Sequence, residues 1–278
     1  MTMTSQWDRL LENAGTWVGS FTQLSSLGAV IADTPSVVAL IPQDDGKAMR
    51  QEIHKQPPGQ PPTERVLEYA SLNRSILFFE GGAFSQGSIQ WGPFSEFGAE
   101  LGLIAEPHRL RLVQLFNRDR QLQITLIREH RQGTDPSQRP PLTVAQLVGT
   151  WRGEAVTLYA DLSPCDRTAT ELTLVQEGQH LHQTLHFGDG PPFTSTGTIE
   201  GDRIVFTGGP QTLQVLLLPD GASATCPIAI EPRQPLFLEV GWLITPHLRQ
   251  RMIRRYNAQG AWVSLTLVTE QKVAVDGG

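Results

Sequence analysis

The chain lacks most features that would assign a protein to a specialised class at sight. It has only two cysteines, Cys165 and Cys226, in 278 residues. That is too few for a disulfide framework and points to a reducing compartment. No apolar run approaches the roughly 20 residues of a membrane-spanning helix, so no membrane span is expected. Basic residues are not in surplus: 22 Lys and Arg face 28 Asp and Glu, for a net charge of -6. With no general attraction for phosphates, no nucleic-acid partner is expected. The opening MTMTSQWDRLLENAG has no basic region followed by an apolar stretch, so a cytoplasmic location without a secretory leader is expected.

Glycine and proline are plentiful, at 26 and 20 residues, and they interrupt long helices. The most informative feature is an internal repeat. Gly15-Thr16-Trp17-Val18-Gly19 recurs as Gly149-Thr150-Trp151-Arg152-Gly153, 134 residues later. Glu100-Leu101-Gly102-Leu103 recurs as Glu239-Val240-Gly241-Trp242 at an offset of 139. Arg109-Leu110-Arg111 recurs as Arg249-Gln250-Arg251, and Phe116-Asn117 as Tyr256-Asn257, both at 140. The terminal strands LQITLIREH and WVSLTLVTE correspond as well. Matches in one order with slowly growing offsets indicate a duplicated domain.

The expected layout is a first domain over 1–132, a proline-rich linker over 133–141 and a second domain over 142–278. A second proline-rich stretch, Gln56 to Pro62, reads as a long hairpin loop present in the first copy only. Each copy opens on a short helix, with Ser5 and Thr143 as expected N-caps. After it come short branched or aromatic runs: Ile76–Phe79, Ser88–Trp91, Arg203–Phe206 and Leu213–Leu218. Turn residues bound them, with Glu200-Gly201-Asp202 and Pro219-Asp220-Gly221 as hairpin turns. About ten strands per copy suit an antiparallel meander, and closing it into a barrel removes the exposed edges. The expected fold is all-β, two tandem barrels each opened by a short helix.

The G-x-W after a short helix, with an arginine late in each copy, resembles the calycin or lipocalin signature. That likeness implies a tryptophan closing one barrel end and an arginine packed across its ring. The stretches FFEGGAFSQGSIQWGPFSEFGAELG and LEVGWLITPHLRQRMIRRYNAQGAWVSLTLVTE further resemble a cyanobacterial family of tandem lipocalin-like proteins, itself similar to S- and T-type phycobilin lyases. The resemblance implies binding of an open-chain tetrapyrrole, a bilin, and a phycobiliprotein or photosynthetic complex as partner.

Arg109 with Arg111, and Arg249 with Arg251, lie two apart on a strand and share a face. Such a pair could clamp carboxylates. The plainer alternative stacks one arginine on the tryptophan and leaves the other at the surface. Arg254 and Arg255 occur only in the second copy, which makes that copy the stronger anion-binding candidate. Alternation sends Arg249, Arg251, Ile253 and Arg255 to one face and Gln250, Met252, Arg254 and Tyr256 to the other. An interior arginine needs a partner, either a ligand carboxylate or an acidic side chain such as Glu239. Phe78, Phe79, Phe84, Trp91, Phe94 and Phe97 could line a pocket or fill a core, and Phe84-Ser85-Gln86-Gly87 reads as a loop at a barrel mouth. His180, His182 and His186 are expected to face solvent, and neither cysteine has a local base.

The expected ligand-binding set is therefore Arg249, Arg251, Arg254, Tyr256 and Trp242 in the second copy, with Arg109, Arg111, Trp91 and Phe84 in the first. No catalytic residue or metal ligand is assigned. The leading expectation is binding of a hydrophobic, carboxylate-bearing small molecule, with a linear tetrapyrrole as the first choice. The alternative is a non-catalytic assembly or scaffold protein for a photosynthetic complex, with packed barrels and a partner-binding outer surface. An enzyme has the least residue support.

Overall fold

The computed structural model describes residues 4–137 and 139–274. Residues 1–3, on which part of the leader reading falls, Gln138 of the linker and the last four residues of the second domain range lie outside the described residues.

The chain forms two compact units. One holds the first copy except residues Ile89–Phe97 and Asn117–Arg120, which group with the second copy in the other. The first copy opens on α1 (Gln6–Leu11). Ser5 Oγ accepts the Asp8 N–H at 3.1 Å, and the Asp8 carboxylate accepts the Ser5 N–H at 2.9 Å. This reciprocal capping box satisfies two helix-end donors. The second copy opens on α2 (Val144–Leu147), where the Thr143 N–H donates to Gln146 Oε1 at 2.8 Å.

The first copy's strands are β1 (Gly15–Leu24), β2 (Val30–Gln43), β3 (Ala48–Lys55), β4 (Thr63–Tyr69), β5 (Ile76–Phe78), β6 (Phe84–Gly87), β7 (Phe97–Ala105), β8 (His108–Phe116) and β9 (Leu122–Arg131). They form one sheet in the order β4-β3-β2-β1-β9-β8-β7-β6-β5. The second copy's strands are β10 (Gly149–Tyr159), β11 (Asp166–Glu177), β12 (His180–Phe187), β13 (Phe193–Glu200), β14 (Arg203–Phe206), β15 (Leu213–Leu217), β16 (Ala222–Pro227), β17 (Leu236–Thr245), β18 (Leu248–Tyr256) and β19 (Trp262–Lys272). They close into a barrel in sequence order.

Both copies are therefore antiparallel meanders whose last strand returns beside the first, as the repeat predicts. They differ at one seam. The second copy closes completely, and the first is a nine-stranded sheet with β4 and β5 at its edges. The proline-rich stretch links the paired strands β3 and β4, so it is a hairpin loop, as expected.

Alternation along each strand selects the core. Leu10, Trp17, Val38, Leu40, Met49, Phe78 and Phe84 cluster in the first copy. Leu147, Trp151, Leu172, Leu174, Leu181, Ile204, Leu217 and Leu243 cluster in the second.

Two local expectations are corrected. Phe84–Gly87 is strand β6 rather than a mouth loop, and Phe84 stacks on Phe78 at 5.3 Å inside the core. Two turn glycines, Gly81 and Gly82, both at positive φ, give the segment its loop-like look, but they turn β5 into β6. Ser88–Trp91 is not a strand: only Gln90 there makes a bridge, to Ala261 within the second unit.

Candidate functional site

The repeated G-T-W-x-G motif organises one end of each copy, and each of its residues has a steric or electrostatic reason. Gly15 and Gly149 adopt φ of +115° and +123°, a conformation that side chains resist. Trp17 and Trp151 are fully buried. Their indole N–H groups donate backward to Asn13 O at 3.0 Å and Leu147 O at 2.8 Å, which ties each ring to the helix before it. Gly19 and Gly153 permit a close crossing of the last strand. A Cβ there would lie 1.8 Å from Arg128 O and 2.1 Å from Thr269 O.

Two cations lie over each indole ring. Arg109 and Arg131 stand 4.3 and 3.8 Å from the Trp17 centroid, and Arg249 and Lys272 stand 4.6 and 5.1 Å from that of Trp151. Buried cation–π contacts of this kind add to area burial.

The second arginine of each pair is not at the surface. In the first copy Arg109 Nε and Arg111 Nε both donate to Glu129 Oε2, at 2.7 and 2.9 Å. Arg111 Nη2 reaches Glu129 Oε1 at 2.8 Å, and its Nη1 reaches Glu100 at 2.7 Å. Burial pushes the Glu129 carboxyl up, but the charges of Arg109 and Arg111 outweigh it and hold the group at about 2.

In the second copy Arg249 Nε and Arg251 Nε donate to Glu270 Oε1 at 2.5 and 3.0 Å. Arg251 lies 3.6 Å from Glu239. Glu270 Oε2 has no hydrogen-bond partner among the described residues. Burial raises the Glu239 carboxyl above its ordinary range despite the nearby Arg251 and Arg249 charges. Glu270 is also pushed up by burial but is held below its ordinary range by the same two arginines.

Glu129 and Glu270 are the residues that sequence reasoning missed. The signal was present: 270 − 129 gives an offset of 141, the next step after 134, 139 and 140. Register confirms the equivalence, because Glu129 pairs with Gly19 and Arg109, and Glu270 with Gly153 and Arg249.

The expected ligand set is split between faces. Arg249 and Arg251 share the face that carries Glu270. Arg254 and Tyr256 lie on the opposite face of β18. Arg254 Nε donates to the Tyr256 hydroxyl at 2.8 Å, and its guanidinium stacks on Trp262 at 3.6 Å. Burial pushes the Arg254 guanidinium down. Trp242 donates from Nε1 to Asp220 O at 3.1 Å, with Arg139 over its ring. Trp91, half-buried in the second unit, donates its N–H to Gly260 O at 2.8 Å. Phe84 belongs to the first core.

Burial pushes the Cys226 thiol up to about 12, which leaves it protonated and inert. His180 and His186 are exposed, and His182 meets Thr196 at 2.9 Å. Among the described residues no group of three or more His, Cys, Asp or Glu could hold a metal ion, and no helix is long and apolar enough to cross a membrane.

These features define a duplicated antiparallel β-protein whose copies each bury an Arg–Glu–Arg cluster beneath a tryptophan. Comparison with known proteins gives the lineage. Residues 3–134 match the N-terminal model of a domain of unknown function, DUF3598. Residues 138–273 match the C-terminal domain model of biogenesis factor required for ATP synthase 1. A crystallised DUF3598-family protein from Nostoc punctiforme is 48% identical over 98% of this chain and 100% of its own, with a TM-score of 0.92. An S-type phycobiliprotein lyase from Guillardia theta is 13% identical over 48% of this chain and 92% of its own, with a TM-score of 0.39. No curated protein matches the sequence. The chain belongs to the DUF3598 family.

Proposed function

We propose that this protein is a non-catalytic assembly factor that works by binding a protein partner, with ATP synthase subunits as the partner. The match of residues 138–273 to the C-terminal domain of an ATP synthase biogenesis factor carries this reading. The interior chemistry supports it. The arginines best suited to clamp a ligand carboxylate already hold Glu129 or Glu270, so their charge is satisfied without a ligand. A carboxylate-bearing tetrapyrrole in the second copy would have to displace a buried ion pair, and breaking one costs about 3–5 kcal/mol. We place this work in the cytoplasm, in keeping with the two free cysteines.

The test is direct binding of the purified full chain to individual ATP synthase subunits and to the assembled complex, followed by analytical ultracentrifugation. Saturable binding to a free subunit, with none to the finished complex, is the expected result. Absence of binding to every subunit, alone or in pairs, overturns the reading. A parallel bilin titration should leave the pigment's absorbance unchanged, and a saturable spectral shift would restore the tetrapyrrole reading.

A further inference from the structure

The first copy carries a further feature. At the end of β3, Lys55 extends over the ring of Phe21, with Nζ 3.7 Å from its centroid. Both residues line a cavity of about 400 Å³ with Gln23, Thr34, Pro57, Val113 and Thr125. The volume lies in the lower part of the range of small-ligand sites, roughly 300–1,000 Å³.

Its lining divides by chemistry. Phe21, Val113 and Pro57 are apolar, and Gln23, Thr34 and Thr125 offer hydrogen-bonding groups. Lys55 supplies the positive charge. Arg111 lies 5.4 Å from the same Phe21 ring, but its charge is matched by Glu129 and Glu100. Lys55 is half-buried and has no carboxylate within ion-pair distance among the described residues. Burial and the neighbouring Arg111 charge push its ammonium down and Glu100 offsets them only in part, so an anion placed beside it would be favoured.

Strand register shows that this pair is particular to the first copy. Gly19 pairs with Ser36, and Ser36 with Lys55. The equivalent path runs from Gly153 to Thr170 to Phe187. Phe21 lies four residues after Trp17, and Ala155 four after Trp151. The second copy thus has Ala155 and Phe187 where the first has Phe21 and Lys55. The β3–β4 loop that contributes Pro57 spans 56–62 and is two residues longer than its equivalent over 188–192, which carries the pair Pro191-Pro192.

We infer that this cavity binds a single-chain amphipathic carboxylate, with its headgroup on Lys55 and its apolar chain against Phe21 and Val113. The site is separate from the partner binding proposed above, and either can fail alone.

The test uses octanoate and octanol as probes on the full chain, followed by NMR of the Val113 methyl and Phe21 ring signals. Octanoate should bind saturably and move those signals. Lys55→Met should weaken octanoate by about tenfold or more, the worth of a charge-assisted contact, and change octanol little. Val113→Trp, which fills the cavity, should abolish both. Melting temperatures of the variants give the control for folding. Should Lys55→Met unfold the chain, the wild-type shifts decide: movement confined to residues outside the cavity overturns the inference. So does absence of saturable octanoate binding, or unchanged octanoate affinity in a folded Lys55→Met protein.

Discussion

The two copies keep one end in common and diverge at the other. At the shared end the helix, the G-T-W-x-G motif, the Arg-x-Arg strand and the returning glutamate form one interlocked set. The tryptophan needs the first glycine's backbone, its ring carries the first arginine, and that arginine needs the glutamate, which comes close only because the second glycine has no side chain. No member can change alone without leaving a clash or an unpaired buried charge. At the far end Phe21 and Lys55 face Ala155 and Phe187 as equivalents, the second copy gains β14, and the first stays open between β4 and β5. Mutual dependence among buried charges and close backbones preserves a site through duplication, and looser packing lets the rest drift.

The sharpest way to break this comparison is at the glycine crossing. Gly19→Ala and Gly153→Ala each place a methyl within 2.1 Å of a backbone carbonyl oxygen, which no rotamer change can relieve. Each should cost more than about 4 kcal/mol, measured by chemical denaturation, or prevent folding. A tolerated alanine at either position would show that the strands can separate and that the set is not interlocked.

Next come the tryptophans. Trp17→Ala and Trp151→Ala should each cost about 3–5 kcal/mol, and by similar amounts, because each ring is fully buried, hydrogen-bonded to the preceding helix end and covered by two cations. Loss of stability in one variant alone would mean that the two ends are alike in geometry and not in energy.

The duplication, the helix caps and the buried tryptophans were legible in the sequence because each is a short local pattern that occurs twice. The glutamates were not. A lone Glu near the end of a strand reads as a solvated residue, and only register places Glu129 opposite Arg109. Phe84 was misread because two turn glycines precede it and β6 is only four residues long. The split of Arg251 from Arg254 follows from alternation, which the sequence contains, but which face lies with Glu270 depends on the neighbouring strands. The Phe21–Lys55 pair joins β1 and β3, and no spacing along the chain announces it.

The ion clusters sharpen the comparison further. Glu129 uses both carboxylate oxygens, whereas Glu270 engages both of its arginines through Oε1. Glu129→Gln should cost about 3–5 kcal/mol, and Glu270→Gln about 1.5–3 kcal/mol less, the worth of a charge-assisted hydrogen bond. Acid should separate the copies in the same sense. The Glu129 carboxyl is held at about 2 against an ordinary 4.5, so its contribution is present above pH about 4.5 and is lost as pH falls toward 2. Glu239 has the opposite sign. Its carboxyl is raised, so its contribution is present at low pH and is lost as pH rises through that raised value, which partly offsets Glu270. Hydrogen exchange read by mass spectrometry should show β8 and β9 losing protection below pH 4.5 before β18 and β19. Simultaneous loss would remove the energetic distinction between the clusters.

The smallest effect tests the opening helices. Ser5 and Asp8 exchange two hydrogen bonds that satisfy backbone donors on both sides. Thr143 likewise directs its N–H and its hydroxyl to one Gln146 oxygen, as Ser5 does to Asp8, and α2 opens on the same capping-box pair. Removing a side chain that caps a backbone donor costs about 1 kcal/mol. Ser5→Ala and Thr143→Ala are therefore each expected to lower stability by about 1 kcal/mol, with thermal unfolding as the measurement. If the two losses are equal, the opening helices join the shared end as true equivalents; a loss in one variant alone would mean that the caps are alike in sequence and not in energy.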